Sequence, residues 1–243
     1  MDDVKITIVK PGAELITPVN HLVDYAKLIE TAGRSCYKSE DRITNESAPR
    51  FIRSIIKRGH ESVIEHCSVT YRITCSRACS HQLVRHRIAA FSQESQRYCD
   101  YGKLGFQVIM PPTIDNHVLA RVCFVNQVRE AYSNYLALRE YGIPPEDARF
   151  LLPNASKTEV VTTFNLRQWR HVFNERLLNP HAQWEIKSIM RDIAYELNNY
   201  IPIFFEDIVE KLSPNRLPFP EPLPHPPPEY IKEGSSEPSP KKE

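Results

Sequence analysis

The thirteen residues from Arg85 to Arg97, RHRIAAFSQESQR, gather three arginines, a histidine, two serines and two glutamines around one small apolar run. That density of donors and fixed positive charge suits an anionic ligand. The planar guanidinium fork gives a phosphate two parallel hydrogen bonds and stays charged at every working pH. In a helix Arg85 and Arg87 would point roughly 200° apart, whereas in an extended segment they share a face with His86 opposite. A helix that ends near Arg85 would therefore spread three donor groups around one ligand. The competing reading is a solvated charged face, the ordinary fate of an arginine run.

A second group lies in NLRQWRHVFNERL, residues 165–177. With Leu166, Trp169, Phe173 and Leu177 on the buried face of a helix, Arg167 and His171 share the polar face, four residues apart. Asn165 and Arg176 fall at the edge of the apolar face. A partly desolvated Arg176 needs an anionic partner, and either a substrate or a carboxylate such as Glu185 would serve. A third stretch, GHESVIEHCSVTYRITC, raises a metal site on His60 and His66. Its spacing fits none of the common sets, since Cys75 and Cys79 form C-x3-C and H-E-x-x-H is absent. Histidines hydrogen-bonded at a helix-to-strand junction are the better reading, and no metal is expected.

The elements that must position these groups follow from periodicity. VKITIV alternates like a strand, and VNHLVDYAKLIETAG reads as one helix stopping at Gly33. APRFIRSIIKRG is a helix stopping at Gly59, and CSVTYRITC is a strand. SRACSHQLVRHR has helical spacing, with Arg77, His81 and Arg85 along one side. Residues 115–141 form the longest helical segment, with Val118, Val122, Val125, Tyr132 and Leu136 on one stripe and Gly142 beyond its end. Arg129 interrupts that stripe, which predicts contact with another subunit, a polar pocket or a snorkelling edge. TEVVTTF is a strand that leads into the 165–177 helix, and Ile186, Ile189, Met190, Ile193 and Leu197 define the last long helix. The predicted class is α+β, an antiparallel sheet packed with several helices.

Composition narrows the function. The chain has 243 residues, enough for one sizeable core, and its 31 basic residues nearly balance 30 acidic ones. No nucleic-acid footprint shows in that balance, so any phosphate recognition is local. The seven glycines form neither G-x-G-x-x-G nor a P-loop, so a bound nucleotide would be held by side chains. The acidic start lacks the features of a secretory signal, and no run approaches the roughly 18–20 apolar residues of a membrane span. A cytoplasmic protein without a membrane partner is expected, its six cysteines reduced and mostly buried. Ten of the twenty prolines fall between Pro214 and Pro240. The reading is therefore one domain over residues 1–212 and an extended or disordered tail over 213–243.

With these residues in view, the chain resembles the flavin-dependent thymidylate synthases. RHR followed by seven residues and then Ser95 is that family's signature, and GHESVIEH, SQESQRY and NPHAQWEI match in order. The resemblance runs from about residue 4 to about residue 210. It implies the family's α+β fold, a homotetramer with active sites at subunit interfaces, and reductive methylation of dUMP to dTMP. Methylenetetrahydrofolate would donate the carbon, FAD would carry the hydride, and NADPH would reduce the flavin. By position, Ser62, Arg85, His86, Arg87, Gln93, Asn165, Arg167 and His171 correspond to flavin-binding residues. Gln82, Leu83, Val84, Arg85, Gln93, Glu94, Ser95, Gln96, Arg97, Arg149 and Arg176 correspond to nucleotide-binding ones. Arg176 matches the residue that stabilises negative charge as the uracil imide ionises, and Ser95 is assigned to binding and orientation. Gln93 stands where many relatives have glutamate and Gln96 where many have glycine, a pattern of a recognised subgroup. The alternatives are an RNA- or nucleotide-binding module using the arginine cluster, and a metal-dependent hydrolase built on His60, His66 and His81.

Overall fold

The computed structural model describes residues 4–212. In chain order these form β1 (Ile6–Val9), β2 (Gly12–Leu15), α1 (Val19–Leu22), α2 (Tyr25–Ser35), α3 (Ser47–Lys57), β3 (Ser68–Ser76) and α4 (Arg77–Leu83). Then come β4 (Ala90–Gln93), α5 (Tyr101–Leu104), β5 (Phe106–Ile109), α6 (Pro112–Asp115), α7 (Val118–Glu140), α8 (Pro145–Ala148) and β6 (Lys157–Asn165). The chain continues as α9 (Leu166–Phe173), a π-helical turn (Asn174–Leu178), α10 (Trp184–Tyr200) and α11 (Glu206–Val209). The proline-rich stretch lies outside the described residues.

The central sheet runs β2-β3-β6-β4 and is antiparallel throughout, as expected. Its two long strands alternate strictly. Val69, Tyr71, Ile73 and Cys75 of β3, and Thr158, Val160, Thr162 and Phe164 of β6, are buried on successive alternate positions. Helices α9 and α10 cover that face. Trp169 meets Phe164 edge-on at 4.7 Å and Tyr71 at 5.4 Å. Full burial of each such large side chain contributes about 1.5–3 kcal/mol before entropy is counted.

Several features depart from the periodicity reading. β1 and β5 pair in parallel, in a two-stranded sheet of their own beside a second apolar cluster of Phe106, Val108, Val128, Tyr132 and Tyr135. The first predicted helix is two, because a turn at Val23–Asp24 separates α1 from α2. Gly33 does not end α2. It lies buried inside the helix, where a Cβ would stand 2.6 Å from the Phe51 ring of α3, so the glycine permits close helix contact. Gly59 (φ 74°) and Gly142 (φ 81°) do follow helix ends, in the left-handed conformation that glycine accepts.

α4 stops at Leu83 with Val84 as its cap, so Arg85 leaves the side shared by Arg77 and His81. On α7 the predicted stripe is only half used. Val118 and Val122 are exposed while Tyr132 is buried, and Arg129 is exposed as well. Three cysteines, Cys67, Cys75 and Cys79, are buried. Cys99 is half-buried, and Cys36 and Cys123 are exposed, because one follows α2 and the other sits on the open face of α7.

Candidate functional site

Two capped helices carry most of the singled-out residues. α4 starts where β3 ends, and the Ser76 hydroxyl oxygen accepts the Cys79 amide at 3.0 Å. α9 starts where β6 ends, and the Asn165 side-chain oxygen accepts the Gln168 amide at 2.8 Å. Since β3 and β6 are register partners, with Ser68 opposite Asn165, the two helices are fixed relative to one another. After α9 the backbone widens into the π turn that contains Arg176. Such turns disturb the helical ladder and recur at functional sites.

At the C-terminal end of α4 these segments converge. His86 is 6% exposed, and its imidazole lies edge-on to His171 of α9 at 5.6 Å. The Arg176 Nε–H donates to His86 Nε2 at 3.0 Å, and its Nη2 reaches the Gln82 carbonyl at 3.5 Å. Burial, with the Arg176 and His171 charges adding to it, pushes the His86 pKa down to about 4. The ring is therefore neutral at pH 7 and accepts the arginine's hydrogen bond. Arg176 is half-buried, and among the described residues no carboxylate pairs with it. Glu185, the partner considered from sequence, instead accepts the Ser76 amide and hydroxyl. Of the five donors of the guanidinium fork, two are occupied by protein groups.

The 3₁₀ turn at Glu61–His66 packs beside α9. Arg167 pairs with Glu65 of that turn, which brings Ser62 to the same edge. Arg170, which the sequence reading did not single out, ties the same turn more firmly. It is 5% exposed, donates to Glu61 at 2.8 Å and to the Phe204 carbonyl at 2.6 Å, and forks onto both Asp207 oxygens at 2.7 and 2.8 Å. Its spacing was the available signal, because four residues after Leu166 and three before Phe173 it falls on the buried face of the 165–177 helix. Ser62, Arg85, Arg87, Arg167 and His171 are all exposed around this end.

The second half of the opening stretch spreads along α4. The Gln93 amide points inward, donating to Ser80 at 3.0 Å and Thr158 at 3.2 Å. Glu94 accepts Tyr101 Oη at 2.8 Å and Lys157 Nζ at 3.2 Å, so its carboxylate serves the fold. The Ser95 hydroxyl accepts the Arg97 amide at 3.3 Å, and Arg97 itself pairs with Glu146 at 3.0 Å on the surface. Leu83 turns its side chain into the core and offers only backbone, whereas Val84 is exposed. Gln96 and Arg149 line a cleft of about 300 Å³ together with Arg77, His81, Phe150 and Asn154. This cleft runs along one side of α4, from Arg77 in its first turn to His81 in its last. Arg77 and His81, noted from sequence only as one side of a helix, thus join Arg149 in a cation-rich cleft.

Comparison with known proteins now decides the family. Residues 19–203 match the model of the thymidylate synthase complementing protein family. A flavin-dependent thymidylate synthase of Geobacter sulfurreducens is 36% identical over 199 residues, covering 79% of this chain and 85% of that one. This chain belongs to the flavin-dependent thymidylate synthases. Further members of that name in Nitratidesulfovibrio vulgaris and Pyrococcus furiosus are 39% and 38% identical, covering 74% and 72% of this chain and 79% and 72% of their own lengths. Among solved structures, a UMP/dUMP methylase PolB from Streptomyces cacaoi bound with 5-Br dUMP shares the fold. It superposes with a TM-score of 0.69 at 22% identity, covering 86% of this chain and all of that one. The sequence of this family member contains neither G-x-G-x-x-G nor a P-loop motif.

Proposed function

We propose that the chain methylates dUMP to dTMP, using methylenetetrahydrofolate as carbon donor, NADPH as reductant and FAD as hydride carrier. The observation that carries this reading is the junction of His86, His171 and Arg176, where the two arginine-histidine segments meet around a half-buried guanidinium. The residues suit a flavin nucleotide. Ser62, Arg85, Arg87, Asn165, Arg167 and His171 would hold it around the neutral His86, with arginine forks on its phosphates. FAD, when bound, supplies the hydride.

The chain's own part is electrostatic. Arg176, held by His86 through Nε, keeps its remaining donors for the uracil imide and stabilises the negative charge that develops there. Gln82, Val84 and the backbone of Leu83 border that position. Arg77, His81 and Arg149, with Gln96, form a cationic cleft suited to the nucleotide phosphate, and Arg97, next in the chain to Gln96, would add its charge to the same ligand. Gln93 and Glu94 hold the cradle in shape through Ser80, Thr158 and Lys157, and Ser95 orients it.

The working form is a homotetramer with shared active sites. Large exposed apolar side chains next to the site, Phe150 at 82%, Tyr98 at 79% and Ile88 at 69%, support a neighbouring copy covering it. The exposed start of α7, with Val118, Leu119 and Val122, supports the same assembly. Among the described residues no helix is long and apolar enough to cross a membrane. We place the enzyme in the cytoplasm, as one catalytic unit over residues 1–212. Purified full-length protein should be yellow, and NADPH oxidation should depend on dUMP. Colourless protein that takes up no FAD would sink the reading.

A further inference from the structure

Resting on that functional reading, we propose that Glu185 is a positioning residue for the nucleotide, acting through Ser76 to fix the axial position of α4 against Arg176. Glu185 is 2% exposed and stands in the first turn of α10, where the Gln183 side-chain oxygen accepts its amide at 3.2 Å. A carboxylate buried this deeply ordinarily sits against a cation. Here its two oxygens accept the Ser76 amide and hydroxyl, each at 2.6 Å. The Ser76 hydroxyl in turn accepts the Cys79 amide, so one continuous chain of hydrogen bonds joins the start of α10 to the start of α4.

The consequence appears at the other end of α4. Gln82 stands in the last turn of that helix, His86 follows it, and both meet Arg176, which belongs to the π turn before α10. α4 is therefore pinned at both ends, at its start by Glu185 of α10 and at its far end by Arg176 of the π turn. Releasing the first lets α4 slide by a fraction of an ångström, and displacements of that order at a binding constellation carry large penalties. Burial raises the Glu185 pKa above the usual carboxylate value, and the Ser76 hydrogen bonds oppose that rise.

The test uses the full-length, FAD-loaded enzyme. Glu185→Gln keeps the shape but replaces one acceptor by a donor, so one of the two links to Ser76 is lost. Ser76→Ala removes the hydroxyl link from the other side. We expect each to raise the dUMP KM about tenfold, the effect of one lost hydrogen bond to a charged group, with kcat changed less than threefold and flavin content unchanged. The double variant should be no worse than either single one, since both cut the same link. Glu30→Gln serves as control, because Glu30 is equally buried but bonds Arg34 and Ser47 in α2 and α3. Unchanged dUMP KM in both site variants overturns the proposal, as does an equal rise in Glu30→Gln. Should Glu185→Gln fail to fold, Ser76→Ala alone decides by the same criterion. A wild-type enzyme without dUMP-dependent NADPH oxidation would instead overturn the functional reading beneath it.

Discussion

Arg176 donates its Nε–H to the Nε2 of a buried, neutral His86 across 3.0 Å, so the imidazole orients the guanidinium without neutralising it. A carboxylate in the same place would hold the arginine as well but would cancel the positive charge that an ionising imide needs. Arg176→Lys keeps a charge and loses both the fork and the Nε contact. We expect kcat to fall by about 10²–10³, as when a preorganised donor is removed, with FAD content preserved. Steady-state rates at saturating dUMP, with the flavin absorbance of the purified variant, check this.

His86 also makes a pH signature. Its pKa in the folded chain, about 4, lies below the ordinary 6.5, so between those values the unfolded chain binds more protons than the folded one. Stability should therefore decline as pH falls from 6.5 toward 4. In His86→Asn that part of the decline should vanish. Thermal unfolding followed from pH 7 to pH 4 in both proteins gives the comparison, and identical slopes would contradict it.

Arg170 joins the Glu61 turn, α9 and α11 through one buried guanidinium. Arg170→Met leaves Glu61 and Asp207 without their cation. Because those two carboxylates are partly exposed, the cost should be about 3 kcal/mol, the low end for breaking a buried pair. Denaturant unfolding measures it. Flavin content should drop too, because the Ser62 turn and the α9 residues Arg167 and His171 lose their common anchor.

Gly33→Ala places a methyl group against the Phe51 ring, where the gap is 2.6 Å. Better helix propensity would favour alanine by about 1 kcal/mol, but overpacking between α2 and α3 costs about 1–3 kcal/mol. We expect net destabilisation of about 1 kcal/mol, visible as a lower denaturation midpoint with an unchanged slope.

The parts legible without coordinates were those governed by local rules. Alternation along β3 and β6, the apolar spacing of α10, the helix stops just before Gly59 and Gly142, and the arginine-histidine motifs are all set by near neighbours in the chain. Local rules misread Gly33, because its neighbour is Phe51 on another helix. They missed the parallel pairing of β1 with β5, because its partners are a hundred residues apart. The site divides the same way. Residue types alone determined that Arg85 to Arg97 and Asn165 to Arg176 could bind anions, and the family motif indicated which ones. Only tertiary structure decided that Arg176 bonds His86 and not Glu185, that Glu94 faces Lys157, and that Arg77 and His81 share a cleft with Arg149. The reason is physical. A partner for a charge is chosen by distance and desolvation, and both arise when α4 and α9, started from opposite ends of the β3–β6 ladder, bring His86 against His171 and Arg176.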